Sequence, residues 1–147
     1  MRLNELSLKE RLLLARRAEL RCAERLLDLS VRIDPPDSEL ARRLREMVAE
    51  EESHASELSR FDARVPWPLV WRLDERSIDR MLADGLPALV AEPGPDTAAA
   101  DCVRNVVGAI EDESVRFYRG LAAVSADEDS RRLFTSLAER EEAHRPG

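Results

Sequence analysis

The sequence predicts an all-α protein: a four-helix bundle of two antiparallel pairs joined by one long crossover. Three observations carry this. Charged residues make up 36% of the 147 positions and aromatics only 4%, with Ala, Leu, Glu and Arg abundant. That is the composition of amphipathic helix, not of a β-sandwich. Apolar residues recur at steps of three and four over four long segments, as helices that bury one face require. Two of the three connections are short and one is long, the pattern of a bundle with a crossover. A chain of this length suits a single domain, 1–147, and can bury about 68–70% of its unfolded surface without a staple.

The first helix spans about 7–32, with Leu12, Ala15, Cys22, Leu26 and Leu29 on one stripe. The paired prolines in Ile33-Asp34-Pro35-Pro36-Asp37 end it, because proline lacks the N–H and clashes with the preceding turn. Ser38 or Asp37 caps the second helix, about 38–61. A connection follows over 62–96, with Pro66, Pro68, Pro87, Pro93 and Pro95 and both tryptophans, Trp67 and Trp71. A structureless loop of this length is uncommon in a compact domain, so a short helix is expected within about 76–90. The tryptophans are expected to pack over the bundle or against a second subunit. The third helix covers about 97–124. Ser125 or Asp127 starts the fourth, which runs to His144 just before Pro146.

Twenty-three basic against thirty acidic residues give a net charge of −7, which lacks the footprint of a nucleic-acid binder. No apolar run approaches the roughly 20 residues that span a bilayer, and the N-terminus does not read as a leader. Cys22 and Cys102 form no C-x-x-C pair, which excludes a zinc ribbon or rubredoxin-type site. The expectation is a cytoplasmic protein with reduced thiols.

The chemistry lies in the stripes. Glu51-x-x-His54 recurs 90 residues later as Glu141-x-x-His144, and these are the only two histidines. Residues three apart share a helical face. In the second helix Leu40, Leu44, Met47, Leu58 and Phe61 form the apolar stripe, and Glu51 and His54 fill its two gaps. Phe134 and Leu137 lead into Glu141 and His144 in the same way. Glu19 interrupts the first stripe, and Glu111 the third, formed by Val107, Ser114, Tyr118 and Leu121. Four carboxylates and two imidazoles therefore point inward, and the arginines fall mainly on other faces. Buried carboxylates need compensation, and a pair of metal ions supplies it. One Glu from each of two helices plus Glu-x-x-His from each of the other two is the dinuclear iron or manganese site that bundles build. Oxygen and imidazole donors without thiolates suit those metals.

Glu24 and Glu113 are rivals for the Glu19 and Glu111 positions, because each clusters with apolar neighbours of its own: Glu24 with Leu13, Leu20 and Leu27, Glu113 with Val106, Ile110 and Phe117. Glu50, Glu52, Glu139 and Glu142 are expected to be solvated. Cys22 reads as a small buried residue, and Cys102 has no readable role. Tyr118, seven residues beyond Glu111, is expected in the core, placed to hydrogen-bond a ligand carboxylate.

Ala109-Ile110-Glu111 through Phe117-Tyr118, then Leu133-Phe134 and Leu137-Ala138 through Glu141-x-x-His144, with 30 residues from Glu111 to Glu141, resemble the rubrerythrin family of ferritin-like proteins. The resemblance covers the four helices but not the connection. It implies a ferritin-like bundle with Glu19 and Glu111 as terminal ligands, Glu51 and Glu141 bridging two irons, and His54 and His144 each capping one. It also implies a non-haem diiron oxidoreductase that turns ferrous iron over with dioxygen or hydrogen peroxide, on the peroxide- or iron-detoxifying side. An external electron donor is implied as well, since no rubredoxin module is present, and Ser114 stands where the peroxide-reducing members carry a further carboxylate. Ferritin-like bundles commonly pair, so a homodimer or higher homo-oligomer is expected. The alternative is a non-catalytic metal-binding or iron-handling bundle acting within an assembly.

Overall fold

The computed structural model describes residues 1–33, 37–90 and 99–144. All regular structure among them is helical: α1 (Leu8–Arg32), α2 (Ser38–Asp62), α3 (Glu75–Gly85), α4 (Ala99–Val124) and α5 (Glu128–Ala143), with 3-10 turns at Leu3–Glu5 and Pro87–Leu89. The proline pair Pro35-Pro36 after the first helix, Pro93 and Pro95 of the connection, the expected beginning of the third helix, 97–98, and Pro146 beyond the fourth lie outside the described residues.

Each start has a local cause. Ser7 accepts the Glu10 N–H at 3.2 Å while Glu10 accepts the Ser7 N–H at 3.0 Å, a reciprocal cap on α1. Asp37, not Ser38, caps α2 through the Leu40 N–H at 3.0 Å. Asp127 caps α5, accepting the Ser130 N–H at 2.9 Å and the Ser130 hydroxyl at 2.6 Å. Ser125 instead turns its hydroxyl back to the Leu121 carbonyl. Each such cap stabilises its helix by about 1 kcal/mol.

The helix α1 lies along α2 and α4 along α5, and α1 also meets α4. The expected stripes are the buried ones: Leu12, Leu26 and Leu29 of α1, Leu44 and Leu58 of α2, Tyr118 and Leu121 of α4, and Phe134 and Leu137 of α5 are all nearly or fully inaccessible. One apolar cluster gathers around Leu14, Leu58, Leu121 and Phe134, and a second around Leu29, Leu44 and Val103.

The connection holds the expected short helix, α3, whose Ile78 and Leu82 join the first cluster. Before it, the strap 66–73 is tied to α1 by Glu10, which accepts the Arg72 and Leu73 N–H groups at 2.5 and 2.7 Å. After it, both carboxylate oxygens of Glu113 accept the Ala88 N–H, at 2.9 and 3.0 Å, anchoring the turn Pro87–Leu89 on α4. Trp67 does not pack into the core. It is 74% exposed, with the Lys9 ammonium 4.8 Å above its ring and Trp71 beside it.

Candidate metal centre

Three helices deliver polar side chains into one apolar interior. Glu19 comes from α1, Glu51 and His54 from α2, and Glu141 from α5, and one donor atom of each lies within 4.8 Å of the others. All four are buried, with 2–4% of their surface exposed. Helical periodicity is the cause: each occupies a stripe position between core residues, so packing the stripes drives the polar groups together.

The electrostatics are strained. The Nδ1 atom of His54 is 3.3 Å from the Glu141 carboxylate and 3.6 Å from that of Glu19. Burial alone would depress the His54 pKa. Its contacts with Glu141 and Glu19 prevail and raise it to about 9. Burial, reinforced by Glu19 and Glu141 on either side, pushes the Glu51 carboxyl well above the ordinary range. Among the described residues, His54 is the only basic group paired with these carboxylates. The neighbouring Arg140 is engaged by both oxygens of Glu57 at 2.8 and 2.9 Å. Glu19 Oε2, Glu141 Oε1 and His54 Nδ1 meet one another as close ionic contacts but not in hydrogen-bond geometry, and buried groups satisfied so incompletely are costly.

The surrounding shell is ordered. The Tyr118 hydroxyl donates to Glu19 Oε1 in a short bond, and burial together with the Glu19 charge pushes its pKa up. Its partner sits across the apolar interior on α1 and is not Glu111 of its own helix. Seven residues along a helix is about 10 Å, too far for a tyrosine to fold back. Cys22 is buried beside the cluster, its Sγ 3.9 Å from the Ser114 hydroxyl. Burial and the nearby Glu51, Glu19 and Glu141 push its thiol pKa up.

The other two expected ligands are not among these four. Glu111 is buried to 2% on α4, at the edge of a cavity of about 80 Å³ shared with Met47, Val107 and Gly108. His144 is the C-cap of α5. Its ring lies parallel to that of His54 with centroids 6.0 Å apart, and its Nε2 is 2.8 Å from Glu50. The two Glu-x-x-His repeats thus diverge: His54 faces the carboxylate cluster and His144 faces Glu50. Both rival carboxylates are accounted for otherwise, since Glu24 is exposed and Glu113 is spent on Ala88. Glu50 is the participant that periodicity missed. It sits on an exposed face, and only the packing of α2 near the end of α5 brings it to His144.

No protein-family model matches the chain, and neither a curated protein nor a solved structure matches it. A donor set of three carboxylates and an imidazole, gathered in an apolar interior, can hold a hard or borderline metal cation.

Proposed function

We propose that the chain is a ferritin-like four-helix bundle, related to the rubrerythrins, that holds two iron or manganese ions in its interior. The observation that carries this reading is the buried Glu19, Glu51, His54 and Glu141 group, three acids to one base with no arginine or lysine among them. Without a cation such a group must protonate or repel itself. With one, the carboxylate oxygens and the His54 nitrogen gain the directed partner that they lack among themselves.

These four residues would hold metal directly, with Glu111 and His144 completing the set of six. Iron bound there would supply redox chemistry toward dioxygen or hydrogen peroxide, with electrons from an external donor. The protein's own part is to hold and shield. Tyr118 fixes one oxygen of Glu19, so that the other stays directed at the cluster. Phe134, Leu137 and Leu26, each at most 1% exposed, keep bulk water from the ligands. A dry interior strengthens every electrostatic contact inside it.

Elemental analysis per chain, repeated on Glu51→Ala combined with Glu141→Ala, tests the ligand set. Two metals per chain, lost in the double variant, is the expected result, and unchanged metal content refutes it. Stopped-flow absorbance of the ferrous protein against peroxide and oxygen then separates turnover from passive binding. A rapid band with electron consumption supports the oxidoreductase; a slow stoichiometric response supports an iron-handling bundle.

A further inference from the structure

Among the described residues, large apolar side chains left in solvent gather on the strap before α3: Trp67 is 74% exposed, Leu69 fully, Val70 61% and Trp71 42%. The strap is held at both ends by two neighbours on α1. The Lys9 ammonium donates to the Asp62 and Val65 carbonyls at 2.9 and 3.0 Å, and Glu10 takes the N–H groups of Arg72 and Leu73. The Trp71 indole N–H turns back to the Leu73 carbonyl at 2.7 Å, and the two indole rings lie 5.5 Å apart. A lysine and a glutamate, each at most 8% exposed, are thus spent on holding apolar groups outward. A surface held ready in this way binds with little ordering cost, and an exposed apolar patch of this kind marks an interaction site.

Charge indicates what it meets. From Ala63 to Leu73 there is no acid, in a chain with 30 acidic residues, and Arg64 and Arg72 stand just outside the tryptophans. The acids on either side are engaged: Asp62 lies 3.6 Å from Lys9, Asp74 caps α3 through the Ser77 N–H at 2.7 Å, and Glu75 is paired with Arg17. Arg64 shares a cavity with Asp127 and Asp129, so the exposed Arg72 carries the larger share. Along the strap the order is arginine, tryptophan, Leu69-Val70, tryptophan, arginine. A bilayer edge has the same layers: phosphates, the interfacial zone where tryptophan sits, and acyl chains.

We propose that the strap docks the protein on an anionic lipid surface, with Leu69, Val70 and the two indoles entering the headgroup boundary and the arginines meeting lipid phosphates. No helix among the described residues is long and apolar enough to cross a bilayer, and a strap of this size inserts only to that boundary. The net charge of −7 opposes approach as a whole, which leaves this acid-free stretch to make the contact. A second copy fits less well. The four side chains offer on the order of 500 Å², short of the roughly 800 Å² per partner of a stable interface, and two straps meeting on a two-fold axis set the same arginines on both sides. The inference is independent of the metal centre.

Both tryptophans of the chain lie in the strap, so their emission reports it directly. The full chain is titrated with vesicles of mixed phosphatidylglycerol and phosphatidylcholine, and with phosphatidylcholine alone. On the mixed vesicles the emission is expected to shift to the blue, brominated acyl chains to quench it, and the chain to co-sediment. Removing the lipid charge, or both arginines in Arg64→Gln with Arg72→Gln, should weaken binding by about 5–25-fold, one factor of ~5 for each arginine that reaches a phosphate. Leu69→Glu should abolish the shift at an unchanged melting temperature, because Leu69 is fully exposed. Val31→Glu, at a 69% exposed position near the far end of α1, should change nothing. No blue shift on mixed vesicles, equal binding to neutral and anionic vesicles, or binding that survives Leu69→Glu overturns the proposal. A blue shift that grows with protein concentration without lipid, together with a dimer mass in sedimentation that Leu69→Glu removes, assigns the strap to a second copy and overturns it as well.

Discussion

Replacing Glu51 by glutamine should stabilise the metal-free protein while abolishing its use for metal. Glu51 lies with Glu19 and Glu141 inside a 4.8 Å group, almost wholly out of solvent. Two ionised carboxylates at that separation repel by about 3.5 kcal/mol at an effective dielectric of about 20. The metal-free protein avoids part of this by keeping Glu51 protonated, which itself costs free energy at neutral pH. Glutamine is nearly isosteric and neutral, and its amide can donate to both flanking carboxylates. Glutamine needs no proton, so it avoids that cost, which is about 1–4 kcal/mol, the upper end being about 1.4 kcal/mol for each of the nearly three pH units between about 4.3 and 7. At roughly 4 °C per kcal/mol for a chain of this size, the melting temperature in the presence of a chelator should rise by roughly 4–16 °C. Scanning calorimetry measures it, with exposed Glu52→Gln as the control, expected within about 0.5 kcal/mol of wild type. With saturating metal the order should reverse, because only the wild type gains binding energy. A Glu51→Gln protein that melts lower than wild type in chelator would show that the acid cluster is already satisfied, and the reasoning fails.

Three further outcomes follow from the same geometry. Chelation should lower the melting temperature of the metal-loaded wild type, by the equivalent of about 2.7 kcal/mol where free metal had been at a hundred times Kd; calorimetry showing no shift excludes a metal that stabilises the fold. Tyr118→Phe should cost the metal-free protein about 1.5–3 kcal/mol, the range for a hydrogen bond to a charged acceptor, read by denaturant unfolding with an unchanged slope. Burial opposes ionisation of Glu10, but its hydrogen bonds to Ser7, Arg72 and Leu73 hold its pKa below the usual glutamate value. Its contribution is therefore complete above about pH 4.3 and is lost as pH falls through the lower folded value. Tryptophan fluorescence should report release of the strap in that acid window, and Glu10→Gln should loosen the strap at neutral pH and flatten the acid response.

The helices were legible because their causes are local. A serine or aspartate cap and a stripe of leucines act within a few residues, so α1, α2 and α5 begin and end where the sequence places them. Choosing between Asp127 and Ser125 needed the structure, since either side chain can cap and only the carboxylate reaches two groups of Ser130. The site was partly legible for the same reason: Glu19, Glu51, His54 and Glu141 sit at stripe positions, and stripes meet. What crosses between helices was not. The tyrosine partner, the hold of Glu50 on His144 and the attachment of Glu10 to the strap depend on interhelical distances that no periodicity encodes. Trp67 lies outside any repeating pattern, and the structure leaves its ring largely in solvent.

The anchoring of Ala88 by Glu113 reaches beyond the connection it secures. Ala88 closes over Cys22 and Ile110 in a small apolar cluster of their own, so the turn forms a roof above a thiol that borders the acidic cluster. Cys22 is only 3% exposed, so an alkylating reagent needs the interior to open, and lifting this roof is one way to open it. The labelling rate of Cys22 is thus a clock for how often the interior is open to molecules from outside, and cutting the Glu113 tether should make it run faster.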